Sequence, residues 1–266
     1  MWCRHVVGSK TRPGTSRGKP MNVLTVFAHP GSQSLCHAVL ERFDAGLRAA
    51  GHVNEVVDLY AIGFDPVIRE LDSPNWMDPN IPEEILARMS LRQRLLDGAR
   101  NPFSRFALKR LIGDRDDSAI IRLLQERFRP KDVAVQQAMV AKAQALAFIA
   151  PVYFVGFPAI LKGWIERVFT LGFAFGLTPD GWRGDIRGRI PLLRHEKALI
   201  IQTTIFDQAA YQDGLAAAMK LLIAEYSLRY PGIKTVEHVF FHAVYGADEA
   251  TRRGYLDEAY RLGREF

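Results

Sequence analysis

The sequence predicts an α/β fold, a three-layer sandwich with a five-stranded parallel sheet between two helical layers, and three observations carry that prediction. An uninterrupted apolar run, ALAFIA at 145–150, reads as a strand buried on both faces, as a parallel sheet requires, and KALIIQTT at 197–204 reads as another buried strand. Residues 22–43, NVLTVFAHPGSQSLCHAVLERF, pass from an apolar run through a Pro/Gly/Ser turn into helix spacing at Leu35, Ala38, Val39, Phe43 and Leu47. Strand-like and helix-like segments then alternate to the end of the chain, the pattern of strands joined by crossover helices.

Taken in order, the expected strands are 22–28, 53–59, 145–150, 197–204 and 234–241. The first helix closes at Ala50-Gly51-His52, and after the second strand Gly63 and Pro66 break the chain into loop. Residues 71–82 are polar and proline-rich, yet hold Trp76 and Met77, which need somewhere to pack. Residues 83–131 read as a helical insertion of two or three short amphipathic helices, split near Asn101-Pro102 and Gly113. A helix over 133–142 leads into the third strand, and Pro158 opens another over 159–169. Residues 178–191, with Gly181, Gly184 and Gly188, read as loop; 209–226 reads as one long helix and 247–262 as the last.

Length and composition suit one soluble domain over 21–266, with 48% hydrophobic and 24% charged residues. The net charge of +6 invites a nucleic-acid partner, but Arg4, Lys10, Arg12, Arg17 and Lys19 supply most of it from residues 1–20, which contain no acid. That basic segment reads either as a disordered tail or as the product of a start placed upstream of Met21. It has no apolar run long enough for a signal peptide or membrane span. Within the insertion, 100–131 carries nine Lys or Arg against four acids. A solvated helical face accounts for these better than phosphate contact, so nucleic acid is a disfavoured partner. Two cysteines, Cys3 and Cys36, exclude a disulfide scaffold and a cysteine-ligated zinc site, and fit a reducing, cytoplasmic compartment.

In parallel sheets ligands sit beyond the C-terminal strand ends, where strand order reverses. Three loops leave those ends with unusual composition. Residues 29–36 place serines and free first-turn N–H groups at a positive helix end, either a phosphate cradle or an ordinary N-cap at Ser32 or Ser34. Residues 151–158 offer aromatic and backbone surface for a planar ring, or else a hydrophobic plug. Residues 203–212 offer Thr203, Thr204 and backbone up to Asp207. Together they suit a phosphorylated flavin, with its tail in the first loop and its ring across the other two. GxGxxG, GxxxxGK[ST] and GxSxG are absent, and the histidines form no metal cluster. His238 and His242 read as two ordinary sheet-edge residues sharing one face.

These segments carry a family resemblance. VLTVFAHPGSQSLCHAVL at 23–40, VVDLYAIGFDPVI at 56–68 and above all APVYFVGFPAILKGWIERVF at 150–169 resemble the NAD(P)H:quinone oxidoreductase family of flavodoxin-like flavoproteins. The resemblance implies a flavodoxin-like fold, bound FAD (FMN the alternative), NAD(P)H as co-substrate, a quinone-like acceptor and a homodimer with sites at its interface. It implies flavin contacts at His29, Gln33, Ser34, Leu35 and Cys36; at Pro151, Val152, Tyr153, Phe154 and Val155; and at Thr203 and Thr204. Tyr153, Phe154, Phe206 and Tyr211 would shape the catalytic pocket, while Lys162, Gly163 and Trp164 would serve packing and dimer contacts.

The chain departs from the family pattern at several of these positions. Leu35-Cys36 stands for the family's Phe-Asn, Phe154 for a tryptophan, and Ile205-Phe206 for a glycine pair. Tyr211 is the counterpart of one of two residues flanking the nicotinamide, and the other, a histidine, has no match. These departures keep open a flavin-binding regulatory or redox-sensing subunit beside the quinone reductase, with a nucleic-acid module as the third reading.

Overall fold

Pairing in the computed structural model, which describes residues 19–69, 72, 77 and 81–266, joins five strands into one parallel sheet. Most of the expected tail, and Trp76, fall outside the described residues. In chain order the elements are β1 (Asn22–Phe27), α1 (Leu35–Ala50), β2 (Val53–Asp58), and helices α2 (Glu83–Met89), α3 (Leu91–Asp97), α4 (Pro102–Ile112), α5 (Asp117–Phe128) and α6 (Lys131–Lys142). There follow β3 (Ala145–Pro151), α7 (Ala159–Val168), β4 (Phe175–Leu177), α8 (Pro179–Trp182), β5 (Arg189–Pro191), β6 (Lys197–Thr203), α9 (Gln208–Gln212), α10 (Leu215–Met219), a π-helical run Lys220–Arg229, β7 (Thr235–Phe241) and α11 (Glu249–Arg264). The sheet order is β2-β1-β3-β6-β7, so the chain reverses direction across the sheet between β1 and β3.

Burial follows the sequence pattern. Every residue of β3 is buried, whereas β2 at the edge buries only Val57. One helical layer is α1 with α11, which cross so closely that a Cβ on Gly46 would lie 2.2 Å from the Tyr260 carbonyl oxygen. A Cβ on Gly263 would meet the Phe43 carbonyl oxygen at the same distance. The other layer is formed by α6, α7 and the α10–π segment over Leu146, Phe148 and Ile200. Trp164 is fully buried there and donates its indole N–H to Gln136 Oε1 (2.9 Å), while Gly163 rests against Pro66. Both fill the packing role expected of them; Lys162 is exposed and paired with Glu166. The buried Arg167 guanidinium is held by Asp72, Asp132 and the Asp65 carbonyl, tying α7 to the loop after β2.

Three expectations need correction. The insertion holds four helices, not two or three, because Ser90 adopts a left-handed conformation (φ 47°) that breaks a continuous apolar pattern. The other joints lie where expected, at the Asn101 capping box and Gly113. The stretch 178–191 is not plain loop: it holds α8 and β5, which pairs antiparallel with β4 just before it, and Gly181 and Gly188 touch through their backbones. Strands of three residues are too short to show periodicity. The expected helix over 209–226 is divided at Gly214 (φ 98°) into α9 and α10, and continues as the π run. The insertion has its own small core of Leu86, Leu91, Ile112, Ile120, Ile121 and Leu124, and all nine of its basic residues from 100 to 131 face solvent. It leaves the C-terminal end of β2 and returns through α6 to the start of β3, so it hangs from the same end of the sheet as the three loops. Among the described residues no helix is long and apolar enough to cross a membrane.

Candidate functional site

At the C-terminal sheet edge, β1 and β3 run parallel with Phe27 opposite Ile149, and β3 and β6 with Pro151 opposite Thr203. All three loops therefore leave the sheet side by side. The first runs over Gly31 into α1, where Ser34 caps the helix by accepting the His37 N–H (3.1 Å). Gly31 donates its N–H to His29 Nδ1 (2.9 Å), folding the imidazole over the turn. Leu35 and Cys36 have backbone N–H groups with no acceptor among the described residues, at the positive end of a sixteen-residue helix. Gln33 is exposed, Ser34 and Leu35 are half-buried, and Cys36 is buried against Thr203. Burial pushes the Cys36 thiol up to about 12, so it is a packing group and not a thiolate nucleophile.

The second loop is the unusual one. Tyr153 and Gly156 exchange backbone hydrogen bonds (3.1 and 3.2 Å), closing a two-residue hairpin over Phe154 and Val155. Both central residues have positive φ, 45° and 66°. That is the backbone hand of a type I′ turn, ordinarily occupied by Asn-Gly, and a β-branched residue there is strained. Each such residue costs on the order of 1–3 kcal/mol. The side chains gained in return are not buried: Phe154 is fully exposed, and Tyr153 and Val155 are also exposed. Pro151 and Val152 below them are buried and half-buried, and the Val152 N–H binds the Thr203 carbonyl (2.8 Å), tying this loop to the third.

In the third loop Thr203 and Thr204 are buried, and Ile205 and Phe206 stand out into solvent. The Thr204 hydroxyl donates to the Phe206 carbonyl (2.7 Å), which also accepts the Ala243 N–H (2.9 Å). A fourth loop, after β7, is thereby drawn in. It turns at Ala243 (φ 51°) and presents Tyr245, which is 80% exposed. Tyr60, Tyr245 and Cys36 all lie near enough to Tyr153 to add to the effect of burial in raising its phenol.

The structure therefore brings together the candidates of all three loops, with one difference among them. Tyr211 is only 4% exposed and lies beneath the surface, its ring 5.0 Å from His242 and 5.4 Å from Phe240. His242, set aside as a sheet-edge residue in the sequence, packs there with Nδ1 3.3 Å from the Thr204 hydroxyl. Burial lowers its basicity, against an opposing pull from Asp207. Tyr245 gave no signal in the sequence beyond an aromatic residue after a strand. Among the described residues no cluster of His, Cys, Asp and Glu could hold a metal ion.

The family model described as flavodoxin-like fold matches residues 21–262. The chain is 27% identical to NAD(P)H dehydrogenase (quinone) 1 of Cavia porcellus over 80% of its own length and 66% of that protein. It is 30% identical to a ribosyldihydronicotinamide dehydrogenase-like protein of Penicillium crustosum over 59% of its length and 47% of that protein. The matches thus span less than two thirds of these curated relatives. Among solved structures, the NAD(P)H:quinone oxidoreductase from Methanothermobacter marburgensis superposes with a TM-score of 0.65 at 26% identity, covering 93% of this chain and 97% of that one.

Proposed function

This chain belongs to the flavodoxin-like fold family, and from that premise we propose that it is a flavin-dependent oxidoreductase that moves two electrons from NAD(P)H to a quinone or similar acceptor. The observation that carries the reading is the strained, solvent-facing 153–156 turn, set beside the free N–H groups of α1 across the point where strand order reverses. The residues present fit a flavin: unpartnered first-turn donors suit an anionic phosphate, and the turn beside them keeps its side chains in solvent.

The N–H groups of Leu35 and Cys36, with Ser34, hold the phosphate end, while Gln33 and His29 border it. Backbone over Pro151–Val155 and the pair Thr203–Thr204 flank the ring, and Tyr153, Phe154 and Phe206 wall the side on which substrates enter. A bound flavin would supply the two-electron chemistry between reduced nicotinamide and acceptor, so the chain itself supplies placement and polarity. Tyr211 and His242, linked to this loop through Thr204, hold titratable protons just below it. We take FAD as the cofactor, with FMN the alternative, and a reducing, cytoplasmic setting. A second copy of the chain would cover Phe154, Val155, Phe206 and Tyr245, making the enzyme a homodimer with shared sites.

Purification, identification of the released cofactor, anaerobic reduction by NADH or NADPH and reoxidation by a quinone test the reading. Flavin bleached by reduced nicotinamide and restored by quinone supports it; a protein that binds neither FAD nor FMN overturns it. Ile205 and Phe206, bulky where relatives of this type carry glycines, favour one other reading, a flavin-binding regulatory subunit. Bound flavin that reduced nicotinamide leaves yellow would favour that reading instead.

A further inference from the structure

Gln202 is the one polar residue in the interior of an otherwise apolar strand, and it is fully buried. Its side chain leans toward the second loop, where Nε2 donates to the carbonyl oxygens of Gly156 (3.3 Å) and Pro151 (3.4 Å), the two sides of the strained turn. Its Oε1 accepts from Nε2 of His238 on the neighbouring strand (2.8 Å). This arrangement fixes both groups: two carbonyls demand the amide NH2, so the amide oxygen must face the histidine, which then carries its proton on Nε2. His238 is itself buried, and its Nδ1 has no partner. A buried orphan acceptor has a cost, offset here by the satisfied amide it supports.

We infer that Gln202 and His238 form a buried brace that positions the 153–156 turn and, through it, the ring side of the flavin site. The inference deepens the function proposed above; the brace itself stands on the hydrogen bonds alone. Left-handed Phe154 and Val155 would relax toward ordinary backbone unless both ends of the turn were held. The hairpin's own two hydrogen bonds tie Tyr153 to Gly156 but do not fix the pair against the sheet. Gln202 does, from one strand away, and β7 steadies Gln202.

Gln202→Leu, His238→Phe and the double variant test this, each made in the full chain. Without added flavin, hydrogen–deuterium exchange at the Tyr153 and Gly156 amides should quicken roughly tenfold in Gln202→Leu, with β1 and β3 unchanged. His238→Phe, which keeps the ring packed on Phe240, should shift the same amides less. The double variant should match Gln202→Leu and not exceed it, because the two residues act as one. Titration with FAD and FMN should show affinity weakened by about tenfold in the same order. Unchanged exchange at Tyr153 and Gly156 in Gln202→Leu, or a rise spread evenly over the sheet, overturns the brace. Where Gln202→Leu does not fold, His238→Phe decides by the same amides. A parent protein that binds no flavin defeats the enzyme reading, yet leaves the exchange result to decide the brace.

Discussion

Two places in this molecule ask something unusual of the backbone, and they answer with opposite residues. Where α1 crosses α11, the chains touch main chain to main chain, and Gly46 and Gly263 leave out the side chains that would collide. At the turn after β3, positive φ calls for asparagine or glycine at the central positions, and the chain instead carries Phe154 and Val155. The crossing is built for stability. The turn keeps two costly side chains in solvent, where burial returns nothing for them, and the proposed flavin site would account for their place there.

That contrast breaks first, and hardest, at the crossing. Gly46→Val should destabilise the chain by roughly 3 kcal/mol or more, because its Cβ would meet helix backbone that cannot give way. Denaturant unfolding measures it, and a change below about 1 kcal/mol would mean the helices separate freely. At the turn the sign reverses. Val155→Gly relieves a left-handed β-branched residue and should raise stability by about 1 kcal/mol while weakening flavin or acceptor binding. Loss of stability there would show that the Val155 side chain is packed, not strained.

Acid separates the two regions more gently. Burial, with Lys220 nearby, lowers the His238 pKa to about 3, against an ordinary value of 6.5. As pH falls below 6.5 the unfolded chain takes up this proton first, so stability is lost between pH 6.5 and about 3. His238 contributes a slope of up to about 1.4 kcal/mol per pH unit. In His238→Phe that share of the slope should vanish, leaving a smaller one that includes buried His195, whose basicity burial also lowers. An identical pH slope in the variant would show that His238 titrates as it does in water.

Much of this was legible in the chain itself. Largely apolar runs located β3 and β6, and the Pro/Gly/Ser turn located the start of α1, because burial and capping leave local signatures. The strain at Phe154-Val155 left none. YFVG displays a glycine, which invites the eye to place the left-handed residue at Gly156, but that residue only closes the hairpin and a Cβ there would touch nothing. Gln202 passed unremarked inside a buried strand, and its partners lie 46 and 36 residues away, beyond any local pattern. Tyr211 was named for the pocket through the family resemblance; its ring packs against Phe240 and His242, below the exposed turn residues. The missed joint within the insertion and the break in the 209–226 segment depended on single left-handed residues, Ser90 and Gly214, which periodicity does not report.

The most direct measurement is hydrogen–deuterium exchange of the parent protein with and without FAD or FMN. Slowed exchange confined to the amides of 33–36, 152–156 and 203–206 is the expected result. Protection elsewhere on the molecule, or none with either flavin, would contradict a ligand held between the start of α1 and the strained turn.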